Sequence, residues 1–116
     1  MKIANKSNSE ILKIAESMWD DIVEGANTKN WHLFSKYMPA SDVTDEAREN
    51  VENQWQQVPL LTSLSKHREF INILRRSNSV LVLWKQWSTT EEGEFLAMLN
   101  LKIIDAEIKS VGIFVS

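Results

Sequence analysis

Apolar side chains in residues 7–25 recur at steps of three and four positions, which is the period of an α-helix. The stripe covers more than half of the helix circumference and consists of Ile11, Leu12, Ile14, Ala15, Met18, Trp19, Ile22, Val23 and Ala26. Ser7 and Glu10 have the spacing of a capping box, and Gly25 is a residue type that commonly ends helices. The pattern therefore predicts an N-terminal helix that ends at Gly25.

A second, shorter helix is predicted after Asn27 or Thr28, either of which can act as its N-cap. One face of this segment carries the aromatic residues Trp31 and Phe34. The helix is expected to end at Pro39, because the proline ring cannot continue the backbone hydrogen-bond ladder.

Ser41 or Thr44 can cap a third helix, which is expected to end at Pro59. The side that faces inward is predicted to consist of Ala47, Val51, Trp55 and Val58. Acidic residues gather near the start of this helix, where the positive end of the helix dipole favours them. These residues are Asp42, Asp45, Glu46 and Glu49. Polar residues separate the apolar ones, which indicates that only one side of the helix is covered.

After Leu64 the residue preferences change toward β-branched and aromatic types, and the hydrophobic period falls to two or disappears. Strands are predicted over residues 69–75, 80–87, 94–103 and 107–115. The connections between them are short and rich in turn residues, as in hairpins. We therefore predict an α+β fold in which three N-terminal helices pack on a curved, four-stranded antiparallel meander. The whole chain, residues 1–116, is expected to form a single domain.

Both faces of the last predicted hairpin are largely apolar. A two-residue turn at residues 105–106 would pair Leu99 with Gly112. The opposite face would then carry the candidate dimer-interface residues Leu96, Met98, Val111 and Ile113. Because three helices can cover only one face, the uncovered face predicts a homodimer. A register slip of one residue would exchange the residues of the two faces.

Composition and charge narrow the classes of function. The chain has 116 residues, with 13 basic and 16 acidic side chains, no cysteine and two histidines. Without cysteine there is no disulfide or thiolate zinc site, and two distant histidines form no ligand cluster, so neither a metal nor another cofactor is expected. The net charge of −3 argues against a nucleic-acid or membrane surface, and no apolar run is long enough to span a bilayer. We expect a cytoplasmic protein.

Three segments of the chain carry a family resemblance. They are WHLFSKYM at residues 31–38, the third helix with Trp55, and GEFLAML at residues 93–99 running into VGIF at residues 111–114. In these segments and in the order of its elements, the chain resembles the nuclear-transport-factor-2-like superfamily. The resemblance implies a cone-shaped fold, a pocket at the mouth of the cone and frequent dimerisation through the outer sheet face. The chain departs from the common pattern because residues 40–45 are too few for the usual short strand pair.

The resemblance also raises catalytic alternatives, since this superfamily includes ketosteroid isomerases, scytalone dehydratases and polyketide cyclases. An isomerase needs a carboxylate base and donors to an enolate oxygen, but the sole tyrosine, Tyr37, lies at a predicted helix end that favours a structural role. A dehydratase or cyclase needs a histidine–carboxylate pair, for which His32 with Asp20 or Asp21 is the available candidate. We therefore assign no catalytic residue and favour a non-catalytic domain.

An apolar pocket is the remaining prediction about chemistry. Gln86 lies between Trp84 and Trp87 on a central strand, where it is either covered by a dimer or provides the hydrogen bond in a pocket. The candidate pocket residues are Trp31, Tyr37, Trp84, Gln86, Phe95 and Phe114. Three functions stay open: a dimeric domain that binds a small apolar ligand or a partner, a lyase or isomerase, and a purely structural association module with a filled interior.

Overall fold

The computed structural model describes residues 2–116, in which three α-helices precede four β-strands. The helices are α1 (Asn8–Asn27), α2 (Trp31–Phe34) and α3 (Asp45–Gln57), with short 3-10 helices at Ile3–Asn5, Ala40–Asp42 and Pro59–Thr62. The strands are β1 (Leu64–Arg75), β2 (Val80–Ser88), β3 (Phe95–Ile104) and β4 (Glu107–Val115). They form one antiparallel sheet in the order β1-β2-β3-β4. The predicted α+β arrangement of helices packed on a four-stranded antiparallel sheet is confirmed.

The start of α1 agrees with the prediction, but its end does not. The Glu10 backbone N–H donates to Ser7 Oγ at 3.2 Å, and the Ser7 N–H donates to Glu10 Oε1 at 3.4 Å, which completes the capping box. The predicted stop at Gly25 is wrong, because the helix continues to Asn27. Gly25 is required there by packing: a Cβ atom at this position would lie 2.5 Å from the Phe34 backbone nitrogen.

α2 begins later and is shorter than predicted. Asn30, and not Asn27, is its cap, because Asn30 Oδ1 accepts from the Leu33 N–H at 3.2 Å. The side chain of Asn27 instead exchanges two hydrogen bonds with the Leu64 backbone, at 2.8 and 3.1 Å. The helix ends at Phe34, ahead of the proline that the sequence predicts as its end.

α3 starts at the predicted cap and is only loosely packed against the rest of the molecule. Thr44 Oγ1 accepts from the Ala47 N–H at 3.1 Å. Trp55 is the buried residue of α3, whereas Val58, predicted to face inward, lies beyond the helix and is 41% exposed. The main contacts of α3 are with the neighbouring 3-10 helix and not with the sheet.

A β-bulge in β4 changes the register of the last hairpin. From the turn as far as Ser110, the pairing with β3 follows the predicted register. Val111 is then an extra residue on β4, with no partner on β3. Beyond it Leu99 pairs with Ile113, so the predicted pair of Leu99 with Gly112 is wrong. A turn sets the register only as far as the first bulge.

The bulge also decides which face each residue of β4 occupies. Ile113 and Val115 lie on the inner face, which the helices cover, whereas Phe114 lies on the opposite outer face and is 48% exposed. The predicted dimer residues are therefore divided between the two faces. Leu96 and Met98 lie on the outer face, and Val111 and Ile113 line the space beneath α3.

The core lies between α1 and the inner face of the sheet. Trp19 of α1 stacks on Trp84 of β2, with ring centroids 5.2 Å apart, and neither residue is exposed to solvent. The aromatic residues predicted for the core are Trp19, Trp31, Phe34, Trp55 and Phe95. Burial of the three tryptophans is confirmed, whereas Phe34 and Phe95 are only half-buried.

Candidate functional site

A cavity of about 560 Å³ opens between α3 and the inner face of β4. Ile22 and Ala26 of α1, Phe34 of α2, and Ile113 and Val115 of β4 form its apolar base. The volume lies within the range of small-molecule sites, which are mainly apolar and carry few polar groups. This cavity is the candidate functional site.

The apolar stripe of α3 forms the opposite wall of the cavity. Ala47, Val51 and Trp55 are spaced four positions apart, so they lie on one side of the helix, and all three line the cavity. Ala47 and Val51 are half-buried. Because α3 stands away from the sheet, this stripe faces an open space where a packed core would otherwise lie.

Polar side chains line the cavity mainly from the segment that leads into α3 and from α3 itself. They are Ser41, Asp42, Thr44, Glu46, Asn50 and Gln54, together with Ser110 of β4. Asp42 and Glu46 are the ionisable residues among the lining, and both are exposed. Within residues 2–116 neither carboxylate forms a salt bridge. Such a site can bind a ligand by burying its apolar surface, with polar contacts near the α3 wall.

None of the six residues predicted to line a pocket lines this cavity. Trp84 is fully buried beneath α1, since it lies on the inner face of a central strand. Gln86 is also fully buried, and its hydrogen bonds are made within the chain. Its Oε1 accepts from Trp19 Nε1 at 3.0 Å, and its Nε2 donates to Ser65 O at 2.6 Å and Trp87 O at 2.8 Å. The amide is neither an open ligand contact nor part of the outer face.

The remaining aromatic candidates are dispersed. Trp31 is buried against Phe34, with ring centroids 6.2 Å apart. Phe95 is half-buried at the start of β3, and the bulge turns Phe114 toward the outer face. The regular register that the sequence suggested for β4 explains the wrong placement of Phe114 alone.

Tyr37 belongs to a small polar cluster outside the cavity lining. Its hydroxyl donates to Asp21 Oδ2 at 2.5 Å, and Lys36 Nζ donates to the same oxygen at 3.3 Å. Burial and the hydrogen bond to Asp21 raise the pKa of Tyr37. Hydrogen bonding to Tyr37 and Asp21 raises the pKa of Lys36. This arrangement anchors the segment after α2 to α1, which is the structural role that the sequence favours.

The candidate histidine–carboxylate pair does not form. His32 is exposed, and the two carboxylates considered for it have other partners. Asp20 Oδ1 accepts from Arg68 Nη2 at 2.7 Å, and Asp21 accepts from Tyr37. In the part of the chain that the structure describes, no group of three or more His, Cys, Asp or Glu residues is placed to hold a metal ion.

The sequence analysis missed the cavity residues of α3, which it assigned to a packed core. One signal was present: the apolar stripe is narrow and the rest of the helix is strongly polar. A helix with so little apolar surface cannot pack closely against a sheet along its whole length.

A scan against protein-family models and a search of curated proteins both find no match to this chain. Among residues 2–116, no helix combines the length and the apolar character needed to cross a membrane.

Proposed function

We propose that this protein is a non-catalytic domain that binds a small, largely apolar molecule in the cavity between α3 and β4. The observation that carries the proposal is an open space of about 560 Å³ whose base is apolar and whose α3 wall carries the apolar stripe of Ala47, Val51 and Trp55. A purely structural module with a filled interior would leave no such space. The lyase or isomerase alternative gains no support, because the ionisable lining residues, Asp42 and Glu46, are two exposed carboxylates.

Aromatic side chains favour the binding of an apolar ligand. Trp19, Phe34 and Trp55 all line the cavity, and the rings of Phe34 and Trp55 meet edge to face with centroids 5.3 Å apart. Trp19 and Trp55 are themselves buried, so the apolar area open to a ligand is that of half-buried lining residues such as Phe34, Val51 and Ile113. A ligand that displaces water from this area gains roughly 25 cal/mol for each Å² of apolar surface that it buries.

The binding site can be tested with 1-decanol, a neutral probe whose flexible chain adapts to an irregular cavity. We expect calorimetry to show saturable binding to the parent protein. Replacing Ala47 by Phe fills the cavity from the α3 wall, and the affinity should fall by about tenfold or more. Asn53→Phe is the matched control, because Asn53 lies on the same helix but is exposed and outside the lining.

Two results would contradict this proposal. The parent protein could fail to bind decanol, or the Ala47→Phe and Asn53→Phe proteins could bind it equally well. Circular dichroism of both variants should match that of the parent, so that a change in affinity reports on the cavity and not on unfolding.

The outer sheet face supports a second proposal, that two copies of the chain form a homodimer through this face. Leu74, Leu96 and Phe114 are 42%, 37% and 48% exposed there. Leu83 pairs with Met98 and Met98 with Phe114, so apolar side chains run across three neighbouring strands. A contiguous apolar patch of this kind is typical of an interface, and two-fold pairing of the same patch is the commonest closed arrangement.

Two lysines of the outer face are paired with carboxylates of the same chain, whereas Lys102, opposite Lys109, forms no salt bridge within residues 2–116. Lys85 Nζ lies 2.7 Å from Glu94 Oε2, and Lys109 Nζ lies 2.9 Å from Glu107 Oε2. Because these charges are paired within one chain, they add little repulsion between two copies.

Membership of the nuclear-transport-factor-2-like superfamily also stays a proposal. The order of elements, three helices followed by a four-stranded antiparallel meander, supports it. In that superfamily a pocket between the helices and the sheet, and dimers through the outer sheet face, are both common.

A further inference from the structure

We propose that the ligand of this cavity is a cationic amphiphile, with its apolar body beneath α3 and an ammonium group beside Asp42 and Glu46. This inference rests on the proposed ligand-binding function and adds the chemical class of the ligand. It follows from the distribution of charge around the cavity.

The negative charge of the protein is concentrated on the wall that contains α3. Residues 41–58 contain five carboxylates and one arginine, a net charge of −4, whereas the whole chain has a net charge of −3. The rest of the chain is therefore slightly basic. A charged ligand that approaches the cavity meets a local field that is more negative than the average surface.

Stabilisation of the helix N-terminus explains only some of the carboxylates in residues 41–58. The positive end of the helix dipole favours Asp45 and Glu46 in the first turn of α3. Asp42 precedes the helix, and Glu49 and Glu52 lie beyond the first turn, where the dipole has little effect. Arg48 neutralises Glu52, since Arg48 Nε lies 3.2 Å from Glu52 Oε1. Asp42 and Glu46 line the cavity and have no salt-bridge partner among residues 2–116.

No lysine, arginine or histidine is among the residues that line the cavity, all of which lie in the described part of the chain. A carboxylate or phosphate headgroup would therefore meet two negative charges and no cation. An ammonium headgroup would be attracted by both carboxylates while its chain remained against the apolar base. The site is thus complementary to an amphiphile with a positive end.

Three probes with the same decyl chain separate charge from apolar burial: decylammonium, 1-decanol and decanoate. We expect calorimetry at neutral pH, below the concentrations at which micelles form, to give the tightest binding for decylammonium and the weakest for decanoate. The two affinities should differ by about fivefold or more at low ionic strength. The difference should shrink as salt is added, because salt screens exposed charges.

Two double variants test whether the preference for decylammonium over decanoate comes from the carboxylates that line the cavity. Asp42→Asn with Glu46→Gln removes both lining carboxylates, and decylammonium should then lose its advantage over decanoate. The control is Glu91→Gln with Glu92→Gln, which changes the net charge by the same amount at exposed positions between β2 and β3. This control should keep the preference of the parent.

The results distinguish failure of ligand binding in the cavity from failure of the preference for a cationic ligand. If none of the three probes binds, the proposed ligand-binding function fails, and the charge preference fails with it. If decanol binds but decanoate binds as tightly as decylammonium, only the cationic class is wrong. Equal loss of preference in both double variants would also overturn it, because the attraction would then come from the net charge and not from the cavity. The comparison of probes on the parent protein does not depend on the folding of any variant.

Discussion

Gln86 is a fully buried amide whose hydrogen bonds connect three parts of the chain. Its carbonyl accepts from Trp19 of α1, and its amide nitrogen donates to the Ser65 and Trp87 backbones. The pairing of β1 with β2 is irregular between Leu64 and Arg68. Ser65 O lies in this irregular stretch, so the side chain of Gln86 satisfies a carbonyl that regular pairing does not. The residue is therefore structural.

Replacing Gln86 by Leu should destabilise the protein by about 2 to 4 kcal/mol, because the Trp19 N–H and the Ser65 carbonyl would both lose their partner. Urea denaturation monitored by circular dichroism measures this change. Gln56→Leu provides the control, since Gln56 is exposed on α3, and its effect should stay within about 0.5 kcal/mol. Equal stability of the Gln86 variant and the parent would show that water replaces these hydrogen bonds.

Tyr37 should make the stability depend on pH in the alkaline range. Burial, followed by the hydrogen bond to Asp21, raises the pKa of Tyr37 above its ordinary value of 10.0, so the folded state favours the neutral phenol. This stabilisation is fully present below the unfolded pKa and is lost as the pH rises through the higher folded pKa. The free energy of unfolding of the parent should therefore fall more steeply in this range than that of a Tyr37→Phe variant.

The chain contains one tyrosine, so this titration can be followed directly. The rise in ultraviolet absorbance of tyrosinate should have its midpoint at a higher pH in the folded protein than in urea. A midpoint that is the same in both states would contradict the raised pKa.

At the scale of elements, α3 is attached to the rest of the molecule mainly through one buried side chain. Its cap, Thr44, is local, and Trp55 is its buried residue. Trp55 is 4% exposed and meets Phe34 edge to face. An element with so few buried contacts can open locally at a lower free energy than the core.

Truncation of Trp55 to Ala should remove the main anchor of α3. If the whole domain unfolds as one unit, loss of this buried tryptophan should lower the free energy of unfolding by roughly 3 to 5 kcal/mol. Amide hydrogen exchange should also become faster along α3, and the increase in rate should be smaller in β2 and β3. Val58→Ala is the control, because Val58 is 41% exposed and should contribute less than about 0.5 kcal/mol. An unchanged urea midpoint for Trp55→Ala would mean that α3 does not depend on this side chain.

At the scale of the whole molecule, one layer of helices covers one face of one sheet, and the Cα extents are 39 × 33 × 18 Å. The thin dimension corresponds to two layers. Apolar residues on the inner face are buried by α1, whereas those on the outer face, among them Leu74, Leu96 and Phe114, remain partly exposed. The fold thus provides two distinct features, a cavity beneath α3 and an uncovered apolar face.

The homodimer proposal predicts the result of sedimentation equilibrium at micromolar concentration. The parent should sediment as a dimer, and Phe114→Glu should sediment as a monomer, because a buried charge without a partner is costly at an interface. Met98→Glu, on the neighbouring strand, should have the same effect. Val58→Glu introduces the same charge at an exposed apolar residue away from the outer face and should remain dimeric. A monomeric parent would rule out the homodimer.

Much of the architecture follows from interactions between residues that are close in the sequence. The capping box of Ser7 and Glu10 and the cap at Thr44 each act over three positions, so the starts of α1 and α3 can be predicted from local pattern. The four strands and their order are likewise indicated by period-two patterning and short turns. These features depend on backbone hydrogen bonds and burial patterns that a short window of sequence contains.

The candidate site depends on contacts between residues that are far apart in the sequence, and a short window of sequence does not contain them. Val111 forms a bulge only because β4 must pair with β3, and this one residue moved Ile113 to the inner face and Phe114 to the outer face. Gln86 bonds to a tryptophan 67 positions away, which removed it from the candidate ligand contacts. The sequence by itself determined the elements, their order and the α+β class, because these arise from local hydrogen bonding and periodicity. The tertiary structure alone decided the faces, the cavity and its lining, because these depend on how distant side chains share the space between α3 and the sheet.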